Sequence, residues 1–157
     1  MKIKKDELAI AILLPLAVGS VAAYITSDAM VKFYMMNKPP LSPPGWLFPV
    51  AWSILYVMMG IASYLIYQMD AKDEDVKKSM KLYLAQLCVN FFWSILFFRF
   101  EWYLAAFLWL VLLWILIFLT MRQYKKLNKT ACYLMLPYLF WVTFAGYLNL
   151  GIYFLNK

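Results

Sequence analysis

There is no histidine anywhere in the 157-residue chain. Without an imidazole, a histidine-bearing zinc site, a Ser/His/Asp triad and a histidine-ligated haem are excluded. Cysteine is nearly as scarce. Cys88 and Cys132 stand alone, with no Cys-x-x-Cys spacing and no neighbouring carboxylate, so no metal site and no structural disulfide are expected. Charge is thin as well, since charged residues make up 15% of the chain. Its eight acids are Asp6, Glu7, Asp28, Asp70, Asp73, Glu74, Asp75 and Glu101, and each falls at the end of an apolar run or in a loop. Ion-coupled transporters place ionisable groups inside the helix bundle, so this distribution argues against proton- or sodium-coupled transport.

What the chain does have is apolar and aromatic surface: 66% hydrophobic residues, 20% aromatic ones and a mean hydropathy of +0.70. That balance belongs to a membrane protein. Uncharged stretches run over 8–27, 39–69, 82–98, 102–121 and 130–156, and a spanning helix needs about 17 to 25 apolar residues. Five spans fit. The third is the shortest, but Lys81 and Arg99 can snorkel to the two interfaces. The expected architecture is one all-α membrane domain, 1–157, a five-transmembrane-helix bundle with helices at about 7–27, 45–68, 79–99, 102–123 and 130–155. Residues 2–23 also have the basic start and small Ser20/Ala22 pair of a signal peptide. Their apolar core of about 20 residues exceeds the usual 7 to 15, so the segment is read as a retained first helix.

Basic residues are divided unevenly between alternate ends of the spans. Eleven lie on the N-terminal side, while Lys32, Lys38, Arg99 and Lys157 make four on the other. The positive-inside rule then puts the N-terminus in the cytoplasm and the C-terminus outside. The net charge of +7 is read as topological, and no nucleic-acid partner is expected because no basic cluster sits on a soluble domain.

Polar residues inside the spans fall on aromatic faces. In the third span Gln86, Asn90, Trp93, Ser94 and Phe97 recur at helical spacing; Tyr138, Trp141, Ala145, Leu148 and Asn149 do so in the fifth, and Pro49, Trp52, Tyr56, Gly60 and Ser63 in the second. Helix–helix hydrogen bonding and close approach at small residues are one explanation. Interfacial belts account for Trp46, Trp102 and Tyr124 near span ends, but not for mid-span Trp52, Trp93 and Trp141. Between the first two spans, KPPLSPPGWLFPVAW (38–52) concentrates helix-breaking residues. Prolines restrict φ without needing a backbone donor, so 28–44 is expected to form an ordered extracytoplasmic loop, read as a lid, the alternative being a plain linker that ends a helix.

From about 33 to 156 the chain resembles the tryptophan-rich sensory protein family, whose animal members are the translocator proteins, also called peripheral benzodiazepine receptors. The likeness is carried by KPPLSPPGWLFPVAWSILYVMMG (38–60), NFFWSILFF (90–98) and LPYLFWVTFAGYLNL (136–150). Leu41 stands where the family's first loop usually has tryptophan, and Leu150 where its last helix has tyrosine. The resemblance implies a five-helix bundle with an internal ligand cavity, often a homodimer, in a bacterial cell membrane. It implies ligand contacts from Tyr34, Pro43, Trp52, Tyr56 and Asn90, and from Trp93, Ser94, Trp141, Ala145 and Leu148. Trp52 and Trp141 match the family's paired tryptophans, whereas Trp109 and Trp114 match none and are expected to face lipid or a partner subunit. Leu150, Tyr153 and Lys157 fit the sterol-recognition pattern, as do three other sets in this chain, so the pattern discriminates little.

The ligands implied are protoporphyrin-type tetrapyrroles, sterols and benzodiazepine-like compounds, with porphyrin as ligand rather than cofactor. Lacking histidine, the chain is expected to favour metal-free porphyrin over haem. A receptor or sensor needs only the cavity. The alternatives are an enzyme that breaks down protoporphyrin with light and oxygen, using Trp52 and Trp141, and a porphyrin or sterol transporter. The charge division yields a direct test: a reporter fused after Lys157 should lie outside the cytoplasm and one inserted between Asp70 and Lys78 inside. Both on one side would overturn the five-span count.

Overall fold

The computed structural model describes residues 2–69 and 72–157; Asp70, one of the eight acids, lies outside the described residues. Six α-helices follow one another: α1 (Lys5–Thr26), α2 (Met30–Tyr34), α3 (Leu47–Tyr67), α4 (Glu74–Ser94), α5 (Tyr103–Leu127) and α6 (Lys129–Leu155). All but α2 are long and apolar enough to cross a membrane. The third spanning helix starts at Glu74, well before its apolar stretch. The Asp73 side chain accepts the Asp75 N–H at 2.8 Å, and Glu74 and Asp75 suit the positive end of the helix dipole, so the polar turns ahead of Leu82 are helical too. At its far end α4 runs into a π-helical turn, Ile95–Arg99, before the chain reverses at Glu101. Glu101 holds a left-handed φ of 57°, an uncommon conformation for a residue other than glycine. Asn128 caps α6 by accepting the Ala131 N–H at 3.1 Å.

Around the bundle the order of packed neighbours is α1, α3, α6, α5, α4, with α4 closing more loosely on α1. The half nearer the N-terminus is filled by apolar side chains such as Ala62, Ile66, Leu113, Ile117 and Met135, none more than 0% exposed. Tyr124 belongs to this interior, also at 0% exposure, and not to an interfacial belt. Its place near the end of α5 made it look interfacial, but the first turn of α4 reaches the same level, where the neighbouring Gln123 Nε2 donates to Asp75 Oδ1 at 2.7 Å. Trp46 and Trp102 are exposed.

The 28–44 loop contains α2 and a proline run that go different ways. Two ion pairs hold α2 to the turn after α4: Arg99 donates to both carboxylate oxygens of Asp28, at 3.0 and 2.8 Å, and Lys32 Nζ lies 2.6 Å from Glu101 Oε1. The Arg99 guanidinium keeps the Asp28 carboxyl below the usual carboxylate range. Stability from a depressed carboxylate is present above its unfolded pKa and lost as pH falls through the folded one, so this tether holds at neutral pH and fails in acid. The proline run is strapped to α6 instead. Pro39 is buried against Gly151, the Tyr147 hydroxyl donates to the Pro40 carbonyl at 2.7 Å, and Asn156 Nδ2 donates to the Asn37 carbonyl at 2.8 Å.

Gly60 sets the approach of α1 to α3. A Cβ there would lie 2.6 Å from both the Ala11 carbonyl oxygen and the Ile12 Cα, backbone atoms that cannot swing aside. A Cβ at Gly146 would meet only the Leu110 and Phe107 side chains, at 3.8 Å. Gly60→Ala should therefore destabilise the detergent-solubilised protein by about 1–3 kcal/mol through overpacking. Gly146→Ala should leave the unfolding midpoint unchanged or raise it, and equal midpoints for the two variants would refute the close crossing.

Candidate functional site

Away from the packed half, the bundle opens into a cavity of about 490 Å³. The size falls within the range of small-molecule sites. Its walls come from α1, α3, α4 with its π-helical turn, and α6; α5 supplies none of the lining. Met30, Phe33 and Tyr34 of α2 form the roof. The floor is a hydrogen-bonded set in which Tyr56 and Asn90 face the cavity and Tyr138 lies beneath.

Nine of the ten residues expected at a ligand share this lining: Tyr34, Trp52, Tyr56, Asn90 and Trp93, with Ser94, Trp141, Ala145 and Leu148. Pro43 does not, because the proline run is drawn sideways onto α6 while α2 covers the cavity. Nor does the lining include Leu150, Tyr153 or Lys157. Lys157 Nζ sits 5.6 Å from the Tyr153 ring and 5.0 Å from that of Phe154, a cation–π arrangement at the end of α6. The sequence reading gave α1 no part in the site, yet Gly19, Ala22, Ala23 and Thr26 line it. Their helical spacing was the available signal, a small-residue face that keeps one wall thin. It also passed over Phe33, Phe48 and Phe98, which with Phe97 of the third-span face join the tryptophans around the cavity.

Ring geometry is close throughout. Trp52 stacks on Tyr56 with centroids 5.5 Å apart and stands nearly perpendicular to Trp141 at 6.4 Å; Trp93 stacks on Phe97 at 5.4 Å. Such aromatic pairs add about 0.5–1.5 kcal/mol each beyond area burial. Among the described residues, no Asp, Glu, Lys or Arg lines the cavity.

Most polar groups of the lining are already engaged. The Trp93 indole donates to Asn149 Oδ1 at 3.1 Å, and Asn149 Nδ2 donates to the Tyr103 carbonyl at 2.8 Å, so both amides first read as helix glue or ligand contacts do tie helices together. Ser20, Thr26 and Ser53 donate to carbonyls four residues earlier in their own helices. The exception is Trp141: its Nε1–H is buried and has no acceptor among the described residues. A buried donor left unpaired costs about 1–3 kcal/mol, which an acceptor on a ligand would recover.

The tryptophans of α5 are placed otherwise. Trp109 is packed against the core and donates to the Val89 carbonyl at 2.7 Å, joining α5 to α4 rather than facing lipid or a partner subunit as expected. Trp114 is 36% exposed, stacks on Phe118 and donates to Thr143 Oγ1 at 2.9 Å.

Comparison with known proteins agrees with this architecture. Residues 11–155 match the TspO/MBR family. The tryptophan-rich protein TspO of Chlorobaculum tepidum is 41% identical over 150 residues, covering 95% of each chain, and that of Archaeoglobus fulgidus is 36% identical over 151, covering 96% of this chain and 97% of its own. The translocator protein of Ovis aries is 32% identical over 127 residues, 80% of this chain and 75% of its own. With its five apolar helices, the chain is an integral membrane protein and belongs to the TspO/MBR family.

Proposed function

We propose that the protein is a membrane receptor that binds a flat, aromatic, poorly soluble ligand of the tetrapyrrole class in the cavity under α2. The observation that carries this reading is the buried Trp141 N–H, unpaired among the described residues, in a cavity walled by rings and lined by none of their Asp, Glu, Lys or Arg side chains. Offset and edge contacts with Trp52, Trp93 and Trp141 supply area to a planar ligand, and the indole N–H orients its polar edge. Sterols and benzodiazepine-like compounds are further candidates for the same space. Absence of histidine favours metal-free porphyrin over haem. Relatives named sensory protein and translocator protein are consistent with a binding role. In this reading the N-terminus is cytoplasmic, the cavity lies in the outer half of a bacterial cell membrane, and the chain pairs as a homodimer.

A second reading rests on the Trp52–Trp141 pair. Rings 6.4 Å apart would both touch one bound porphyrin, and an excited porphyrin beside two indoles has redox partners for a light- and oxygen-dependent breakdown. Illumination in air separates the two readings: loss of porphyrin absorption that requires both protein and light supports turnover, and a stable complex supports binding alone. Passage straight through the bundle is disfavoured by the filled half beneath the floor.

Trp141→Phe and Trp52→Phe keep a ring but remove an indole, and each should weaken protoporphyrin binding by roughly five- to thirty-fold, measured by porphyrin absorption in detergent. Trp114→Phe should leave affinity unchanged. Trp109→Phe should lower thermal stability, through loss of the bond to Val89, without lowering affinity. Equal small losses of affinity at all four positions would refute the cavity assignment.

A further inference from the structure

We propose that Gln86 and Met59, neither of which lines the cavity, determine whether its floor offers the ligand a hydrogen-bond acceptor or a donor. The inference rests on the reading of the cavity as a ligand site. Four side chains form one continuous chain: Gln86, Tyr138, Asn90 and Tyr56. Each is buried, and Gln86 is 0% exposed. Gln86 and Tyr138 lie below the floor, Asn90 and Tyr56 on it.

Direction in this chain is fixed from the bottom. Gln86 Nε2 lies 3.8 Å from Met59 Sδ. A thioether has lone pairs and no proton, so it tolerates the amide N–H and repels the amide oxygen. That turns Gln86 Oε1 to Tyr138, whose hydroxyl donates to it at 2.8 Å. A phenol has one proton. With that proton engaged, Tyr138 accepts from Asn90 Nδ2 at 2.7 Å, which turns Asn90 Oδ1 to Tyr56. The Tyr56 hydroxyl donates to Oδ1 at 3.4 Å, leaving its oxygen lone pairs as an acceptor for whatever occupies the cavity.

Turning the Gln86 amide over reverses every step. Nε2 would donate to Tyr138, Tyr138 to Asn90 Oδ1, and Asn90 Nδ2 to Tyr56, whose proton would then be free to point at the ligand. Both directions pair all the links within the chain, so neither is excluded by an unsatisfied group there. Met59 is the member that distinguishes them. The last link, at 3.4 Å, is the longest of the three, and a ligand can therefore compete for Tyr56 at that point. With the Gln86 amide as found, the floor suits a ligand edge that carries an N–H, while the Trp141 N–H suits an acceptor elsewhere on the same molecule.

Carbazole and acridine test this directly, because they are flat tricycles of similar shape with a ring N–H and a ring nitrogen acceptor respectively. Their affinities are measured at pH 8, where both are neutral, by competition with protoporphyrin. Removing the Gln86 acceptor in Gln86→Leu lets the chain reverse, and the carbazole-to-acridine affinity ratio should fall about tenfold, the effect of inverting one hydrogen bond. Met59→Leu conserves volume and removes only the bias, so the ratio should fall by a smaller factor in the same direction. In an Asn90→Leu background neither change should move the ratio, since the link that carries the direction from Tyr138 to Tyr56 is cut. A packing role for Gln86 would weaken both tricycles alike and leave the ratio fixed, which would overturn the proposal. So would a ratio that still shifts in the Asn90→Leu background. Where Gln86→Leu fails to fold, an unchanged ratio in Met59→Leu has the same force. Failure of wild-type protein to bind protoporphyrin or either tricycle would instead remove the cavity reading, and this inference with it.

Discussion

Inside a bilayer a polar side chain has no water to return to, and that constraint governs how this bundle is built. Most hydroxyls and amides find a partner within the protein, although the Tyr124 hydroxyl is buried without one among the described residues. The spanning helices meet the demand in two ways. Serines and threonines fold back onto carbonyls of their own helix, as Ser20, Thr26 and Ser53 do, which hides polarity without joining helices. Amides and rings reach across: Asn90 joins α4 to α6 through Tyr138 and contacts Tyr56 of α3, and Asn149 joins α6 to Trp93 of α4 and to the start of α5. Once these are counted, Trp141 keeps a buried donor at the cavity with nothing to give it to.

Side-chain size explains why the cavity sits at one end. Where Gly60 crosses the Ala11–Ile12 backbone, α1 and α3 touch main chain to main chain, and the interior there is filled. Toward α2 the facing residues are large and rigid on three walls and small on α1, so rings hold helices apart that cannot collapse onto one another. The roof is separate from these walls. It rests on Asp28–Arg99 and Lys32–Glu101, exposed pairs of the kind that contribute little to stability, so they act chiefly to locate α2.

Much of this was legible in the sequence, and the limits were physical. The five spans follow from length and apolarity alone, and the tryptophan and asparagine positions on α3, α4 and α6 follow from 3.6-residue periodicity. Pro43 misled because a proline run announces order without announcing direction; the bonds from Tyr147 and Asn156 that pull it onto α6 are more than a hundred residues distant in sequence. Trp109 and Tyr124 misled because an aromatic in a spanning helix reads the same whether it faces lipid or a neighbour. Only the Val89 carbonyl in one case, and the polar helical turns of α4 in the other, decide the matter. The α1 wall was missed because small residues suggest close packing, and at Gly60 on α3 that is what they do, while along α1 they border space.

A cavity closed beneath by packed side chains and walled by fixed rings favours recognition over passage. Moving a planar ligand through the bundle would require Tyr56, Asn90 and Tyr138 to part, breaking bonds of 3.4 and 2.7 Å, and then require the filled layer of Ala62, Leu113 and Met135 to open. Buried groups of this kind have no solvent to compensate them during such a step. Rigidity has the opposite effect on binding, because rings already stacked, such as Trp52 on Tyr56 and Trp93 on Phe97, lose little further freedom when a ligand adds to them. In the proposed receptor, the same floor that resists passage would present a planar ligand with a preformed surface whose polar character is set by residues the ligand never touches.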